Sequence, residues 1–175
     1  MTTHPVSPKA THEEARARTL LEHVLEEGSL RDLLPLQAFD DESLYALGYE
    51  LYAEARYEPA AALFALLVAR DCFERRYLQA YAACLQMMGR HATALSHHLT
   101  AALMDPEDPT TIFHACECLI AMGHVNLAGE ALTKLQTLYP PGKNDPLLRR
   151  AQGLLDLIQQ HSLKRTEGSS YGSYH

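Results

Sequence analysis

The sequence has few of the patterns that indicate β-structure. Runs in which Val, Ile, Thr or aromatic residues alternate with polar ones between turn residues are absent, while Ala and Leu are abundant. The chain of 175 residues is long enough to bury a core without metal ions or disulfide bonds. We therefore expect an all-α fold in a domain of ordinary size.

The chain also lacks a concentration of positive charge and a long apolar run. Its net charge is -7, and its arginines are scattered. Nucleic-acid binders usually cluster basic residues on one surface, so we expect no nucleic-acid partner. No stretch approaches the ~20 apolar residues that cross a bilayer, and MTTHPVSPKATHEEARAR lacks the apolar centre of a signal peptide. We expect a cytoplasmic protein with no stable membrane insertion.

Signatures of catalysis and of metal binding are missing as well. The sequence contains no nucleophile elbow, phosphate loop or HExxH motif, so we expect no enzyme and no cofactor. The segment HACEC holds His114, Cys116, Glu117 and Cys118, but on a helix only His114 and Cys118 share a face. Two ligands are too few for structural zinc. The four cysteines lie inside helical patterns, which does not indicate a disulfide scaffold.

What the sequence does contain is a repeat with a period of 34 residues. Leu51, Leu85 and Leu119 recur at this interval. The other columns in this register are Leu44, Leu78 and Ile112; Gly48, Ala82 and Cys116; Ala60, Ala94 and Ala128; Ala55, Gly89 and Gly123; and Cys72, Pro106 and Pro140. A fixed period of this length is typical of stacked helical units.

These columns resemble the tetratricopeptide repeat, a helix-turn-helix unit. In that unit the Gly48 and Ala60 columns lie where the two helices touch, so a larger side chain would separate the pair. Gly89 and Gly123 fall at turns where a positive φ is often required. The proline column closes the second helices. The predicted helices are 41–55 and 57–70, 74–88 and 91–104, and 108–122 and 125–138.

A stack of repeats needs a covering helix at each end, because a terminal repeat exposes an apolar face. The helix predicted at 11–27 either caps the stack or pairs with a second copy of the chain in a weak homodimer. The predicted divisions are a flexible N terminus at 1–10, an N-terminal helical region at 11–40, three repeats at 41–140, a capping helix at 141–161 and a disordered tail at 162–175.

The first helix of the first repeat carries two stripes of apolar residues. Leucines form one stripe, and Tyr45, Tyr49 and Tyr52 form the other. An aromatic stripe is often core packing, but here the leucines already supply the core contact. We therefore interpret the tyrosines as one wall of a concave groove that suits an extended peptide. The same register adds Gln79, Ala83, Gln86 and Met87 from the second repeat and Phe113, Glu117 and Ile120 from the third.

Three segments resemble the class II chaperones of bacterial type III secretion. They are LYALGYELYAEARYEPAAALFALL at 44–67, CLQMMGRHATAL at 84–95 and IFHACECLIAMGHVNLAGEAL at 112–132. EEGSLRDLLPLQAFDDESLYALGY is similar to the family's entry into its first repeat. This resemblance, over about residues 20 to 138, implies a chaperone that binds an extended, proline-bearing segment near the N terminus of hydrophobic translocator proteins and keeps them soluble and fit for secretion.

The resemblance implies that aromatic pockets at Tyr45, Tyr49, Tyr52 and Tyr57 hold this segment. Two positions depart from the family pattern: Arg70 stands where an aliphatic residue is common, and His98 stands where a tyrosine is usual. Both are less certain groove residues. The alternatives are a generic repeat adaptor, and a second duty as regulatory partner of a transcriptional activator.

Overall fold

The computed structural model describes residues 39–139 and 146–170, together with Ala15, Arg18 and Thr19, with side chains described as far as His161. The two continuous ranges are built of helices, without a strand. These helices are α1 (Asp41–Ala53), α2 (Tyr57–Arg70), α3 (Arg75–Met87), α4 (His91–Met104), α5 (Pro109–Ala121), α6 (Val125–Leu138) and α7 (Pro146–Ser170). The predicted all-α class is confirmed, and α1 to α6 agree with the predicted helices to within two residues at either end.

The first helix of each repeat is preceded by an acidic residue, and these residues are spaced by 34 positions. Asp40, Glu74 and Asp108 precede α1, α3 and α5, and each side chain accepts a backbone N–H from the first turn of its helix. The nitrogen–oxygen distances are 2.9 Å from Ser43, 3.1 Å from Arg76 and 2.9 Å from Thr110. A carboxylate here satisfies a donor that has no partner within the helix and interacts favourably with the helix dipole.

Each of these three helices ends in the same type of turn. Ala55, Gly89 and Gly123 have φ values of 60°, 75° and 82°, the left-handed conformation expected at the two glycines. At the first turn, the N–H of Ala55 bonds to the carbonyl of Tyr52 and the N–H of Arg56 bonds to the carbonyl of Leu51. This is the Schellman arrangement, and it recurs after α3 and α5. The repeat period is therefore visible in backbone hydrogen bonds.

The N-terminal unit, Met1–Arg90, has its own core around α1, α2 and α3. Leu44, Leu47 and Leu51 have no exposed surface. Gly48 is buried against the ring of Phe64, where a Cβ atom would lie 2.8 Å from two ring carbons. Phe64 is itself buried, so the close approach of α1 and α2 depends on the missing side chain.

The C-terminal unit, His91–His175, forms a second core. Phe113 and Cys116 from α5 pack with Ala128 and Leu132 from α6, and α7 adds Leu148, Ala151 and Leu155. Ala94 and Ala128 have no exposed surface, as expected for the small column. Helix α7 packs mainly against α6 and much less against α5.

Helix α7 continues through Ser170 and so overlaps the first residues of the tail predicted at 162–175. Lys164, Arg165 and Glu167 have high helix propensity, and extending an established helix costs far less than starting one. Residues 171–175 lie outside the described residues, as do Pro140 and most of the predicted N-terminal region. Within that region Ala15, Arg18 and Thr19 are helical.

Candidate functional site

Four tyrosines of the N-terminal unit form two pairs of contacting rings, Tyr45 with Tyr49 and Tyr52 with Tyr57, which we call the tyrosine cluster. The ring centroids of Tyr45 and Tyr49 are 6.0 Å apart, and those of Tyr52 and Tyr57 are 5.4 Å apart in an edge-on arrangement. Tyr49 is 59% exposed, and the other three are half-buried. The structure therefore brings these predicted site residues together on α1 and the start of α2.

Tyr45 contacts two aromatic rings outside the tyrosine cluster. Its ring lies edge-on to Phe64 at 5.6 Å and tilted against Tyr77 at 5.8 Å. Partial burial, with a smaller contribution from Tyr49, raises the pKa of the Tyr45 hydroxyl above its ordinary value. The hydroxyl therefore stays protonated at neutral pH and can donate a hydrogen bond, while the ring offers an apolar surface.

Arg76 covers the end of the tyrosine cluster, although the sequence analysis did not select it. Its guanidinium carbon lies 5.3 Å from the ring centroid of Tyr45 and 5.8 Å from that of Tyr77. Nη2 is 2.8 Å from Glu42 Oε1, and Nε is 3.3 Å from Glu74 Oε1. The sequence did contain a signal, because Arg76 stands three positions before Gln79 on the same stripe of α3.

The predicted residues on α3 belong to the same unit. Gln79, Ala83 and Gln86 are half-buried, and Met87 at the end of the helix is 52% exposed. These side chains combine amide groups, a small gap and a flexible thioether, which adapts its shape to a partner.

Phe113, a predicted groove residue, lies in the core of the C-terminal unit, and its role in a groove stays a prediction. Phe113 has no exposed surface and is among the largest side chains in the C-terminal core. The guanidinium carbon of Arg150, on α7, lies 4.8 Å from its ring centroid. Burial here depends on a helix more than thirty residues away in the sequence, so the local pattern on α5 did not reveal it.

Arg70 and His98, the two less certain positions, are not free surface residues either. Arg70 Nη1 donates to the carbonyl of Phe39 at 3.0 Å and forms an ion pair with Asp41, which ties the end of α2 to the start of α1. His98 is only 2% exposed and stacks on His114 with ring centroids 5.4 Å apart. Each side chain is engaged within its own unit, and the role of either residue in a groove stays a prediction.

Glu117 stands at the centre of a polar chain in the C-terminal unit. Its Oε2 is 2.8 Å from Nδ1 of His114, and its Oε1 accepts from Nη2 of Arg150 at 3.0 Å.

Burial, and then the neighbouring His114, lowers the pKa of His98 to about 4, so His98 is neutral at physiological pH. Ile120, one turn further along α5, is half-buried against the core.

The cysteines of HACEC are core residues. Cys116 and Cys118 are at most 1% exposed, and burial raises the pKa of each thiol to about 11. A neutral, buried thiol is a small apolar side chain and a poor metal ligand.

Within the described residues, no helix combines the length and the apolar character that crossing a bilayer requires. A scan against protein-family models finds no match. The helix-turn-helix units and their turns place the chain in the class of tetratricopeptide-repeat proteins.

Comparison with known proteins identifies the family within this class. The chain is 31% identical to the Yersinia enterocolitica type III secretion chaperone SycD, solved with a peptide of the translocator YopD. That alignment covers 69% of this chain and 93% of SycD, with a TM-score of 0.63. SycD has also been solved as an alternative dimer. PcrH from Pseudomonas aeruginosa is 30% identical, with 68% of this chain and 91% of PcrH covered and a TM-score of 0.62.

A sequence relative agrees with these structures. The low calcium response locus protein H of Yersinia pestis is 34% identical over 97 residues, which are 55% of this chain and 58% of the relative. The match thus spans less than two thirds of that curated protein. Taken with the coverage of SycD, these findings show that the chain belongs to the family of type III secretion translocator chaperones.

Proposed function

We propose that this protein is a bacterial chaperone that binds an extended segment near the N terminus of hydrophobic translocator proteins in the cytosol. Binding keeps the translocators soluble and available for secretion. No catalytic step belongs to this role. The observation that carries the proposal is the tyrosine cluster, which presents aromatic rings and hydroxyls on a helix whose leucines already fill the core.

The chemistry of the tyrosine cluster matches an extended peptide. Half-buried rings bury an apolar side chain at low entropic cost because the protein already restricts their rotation. The protonated Tyr45 hydroxyl, with the amides of Gln79 and Gln86 in the same unit, supplies hydrogen bonds for a peptide backbone. The peptide of YopD bound to SycD supports this assignment of ligand class.

Co-expression with a translocator from the same bacterium tests the proposal. We expect a soluble complex when both chains are present and an aggregated or membrane-damaging translocator when it is alone. A translocator that is equally soluble without this chain contradicts the chaperone role and leaves a generic repeat adaptor as the better description.

Substitution of the tyrosines tests the location of the site. Replacing Tyr45 and Tyr52 by Ala removes two aromatic anchors, which should weaken translocator binding by about 2 to 4 kcal/mol in total. Phe73→Ala is the matched control, because Phe73 is an aromatic residue of the same unit that is 83% exposed and lies outside the cluster. Equal losses from both changes would place the site elsewhere. Isothermal titration calorimetry measures the difference.

We also propose weak self-association through the N-terminal region. The sequence at residues 15–25 carries an apolar stripe that a second copy of the chain can cover. Within one chain, Arg18 of this region pairs with Glu50 at 2.7 Å and with Glu54 at 3.4 Å. Sedimentation of the full chain and of a chain starting at Asp41 over a range of concentrations tests the idea. A dimer that persists without residues 1–40 contradicts it.

A regulatory role with a transcriptional activator is a separate proposal, tested by co-purification before and after translocator release.

A further inference from the structure

Helices α5 and α7 of the C-terminal unit border a cleft of about 300 Å³. It exists because α7 packs mainly against α6 and leaves its flank beside α5 open. On α7 the lining residues are Arg150, Gly153, Leu154 and Leu157, which are spaced as one helix face, and α5 supplies Phe113 and Glu117. The buried core residues of α7, Leu148, Ala151 and Leu155, lie on another face, and of the α7 residues that line the cleft Leu154 also packs against the core. Covering the last repeat therefore does not explain Arg150, Gly153 and Leu157.

Arg150 is the polar group that this cleft offers to a partner. The Phe113 ring and the Glu117 carboxylate hold its guanidinium at two points, yet 60% of the side chain is exposed. Among the described residues, Nη2 bonds to Glu117 while Nε and Nη1 make no hydrogen bond. A guanidinium fixed in this way loses little further freedom on binding, and its open edge matches a carboxylate.

Glu117 does not offer a competing site for a cation. Its two oxygens are already engaged, one by Arg150 and the other by His114. The remaining walls are apolar: Leu157 is 55% exposed and Leu154 is half-buried. At Gly153 a Cβ atom would meet nothing within 4 Å, so there is room for a partner chain to approach. A cleft of this volume admits one or two side chains rather than a folded surface.

We propose that this cleft binds an acidic residue and a neighbouring aliphatic residue of an extended segment of the translocator, with Arg150 as the specificity-determining contact. The acidic residue pairs with the open edge of Arg150, and the aliphatic residue packs on Leu154 and Leu157. The inference rests on the proposed function and deepens it, because it assigns a recognition role to α7 beyond covering the last repeat.

The test uses the full chain and overlapping fluorescein-labelled peptides that cover the translocators of the same bacterium, with affinities from fluorescence anisotropy. Among the peptides that bind, we expect one whose affinity falls about tenfold with Arg150→Gln. Changing the relevant Asp or Glu of that peptide to its amide should cause a similar loss with the wild-type chain and no additional loss with Arg150→Gln. Arg149→Gln, at the adjacent exposed position, is the matched control and should bind normally.

A second variant probes the apolar wall. Leu157→Glu adds a negative charge at an exposed position, so it should weaken the acidic peptide about tenfold and its amide form much less. Thermal unfolding of every variant verifies that the unit remains folded.

The outcomes separate the two proposals. Peptides that bind with affinities insensitive to Arg150→Gln and Leu157→Glu overturn the α7 site and leave the chaperone function intact. A loss that is the same for the acidic and amide peptides also overturns it, because Arg150 then acts on the fold. If neither the peptides nor the co-expressed translocators bind, the proposed function fails and this inference fails with it.

Discussion

Tyr45 and Phe113 occupy the same position of the repeat, two periods apart, and the structure uses them in opposite ways. Tyr45 is half-buried in the N-terminal unit and retains an accessible ring. Phe113 has no exposed surface in the C-terminal unit. Each ring has an arginine nearby, Arg76 at 5.3 Å and Arg150 at 4.8 Å. An equivalent position in two repeats thus has equivalent backbone geometry, while its exposure depends on what packs beside it.

The position four residues later in the repeat, occupied by Tyr49 and Glu117, also differs in exposure between the two units. Tyr49 is 59% exposed, whereas Glu117 is held between His114 and Arg150. The N-terminal unit presents aromatic rings, and the C-terminal unit presents a charged residue beside an apolar cleft. The same helix-turn-helix repeat therefore carries chemically different surfaces in the two units.

The largest expected effect comes from truncating the two equivalent rings. Phe113→Ala removes a fully buried ring, so we expect the free energy of unfolding to fall by about 4 kcal/mol. Tyr45→Ala removes a partly exposed ring and should cost about 1 to 2 kcal/mol. Urea unfolding followed by circular dichroism measures both values. Similar losses for the two variants would show that Tyr45 is a core residue, which would remove the basis of the peptide site.

Acid should act mainly on the C-terminal unit. Residues 39–90 contain no histidine, whereas His98 is buried in α4 beside His114, Glu117 and His97. The folded-state pKa of His98, about 4, is below the ordinary 6.5, so protonation favours the unfolded chain. The contribution of neutral His98 to stability is therefore complete above pH 6.5 and is lost as pH falls toward 4, by about 3 kcal/mol at most.

His98→Phe is the variant that tests this dependence, since it retains a buried ring without a titrating group. The pH dependence of unfolding between pH 7 and 4.5 should become shallower in the variant. Hydrogen exchange resolved by residue should show opening at low pH in α4 and α5 before α1 and α2. An unchanged pH dependence in His98→Phe would contradict the assignment to His98.

The same change at two buried glycines should have opposite effects in the two units. Gly48→Ala places a methyl group 2.8 Å from the Phe64 ring, so we expect a loss of about 2 kcal/mol. In α6, Gly129→Ala meets Ile158 at 3.5 Å, an ordinary contact, and should gain up to about 1 kcal/mol from helix propensity. Thermal unfolding of both variants measures whether each change raises or lowers stability. A loss of equal size at Gly129 would show that α6 and α7 tolerate no additional atom.

The smallest expected effect concerns the three equivalent turns. Ala55 adopts a φ of 60° where the later repeats have glycine, so Ala55→Gly should stabilise the chain by about 1 kcal/mol. Gly89→Ala and Gly123→Ala should destabilise it by a similar amount. A Cβ atom at either glycine would meet nothing within 4 Å, so the cost is conformational. Destabilisation by Ala55→Gly would contradict this explanation.

Sequence reasoning located the helices well because their ends depend on short-range interactions. The acidic caps at Asp40 and Asp108 and the turns at Gly89 and Gly123 bond to atoms within a few residues. The small residues at Gly48 and Ala128 could likewise be identified from the period. The C-terminal end of α7 was missed because helix extension is gradual and no strong stop signal precedes Gly168.

The candidate site was predicted less completely. The tyrosine cluster could be identified because its members lie on one short helix and at the start of the next, with leucines left over for the core. Arg70 and His98 could not be assigned in the same way, because each is engaged by residues distant in the chain, Asp41 and His114. Arg150 was not predicted as a site residue, because the sequence analysis interpreted α7 only as a capping helix.

The sequence by itself determined the period, the helix boundaries, the turns and the two stripes of the first helix, because these follow from local backbone bonding and from which side chains share a helix face. Only the tertiary structure decided that Tyr45 stays accessible, that Phe113 is buried and that Arg150 lies above it. Exposure is a property of the surroundings, and those surroundings are supplied by helices that are close in space and distant in sequence.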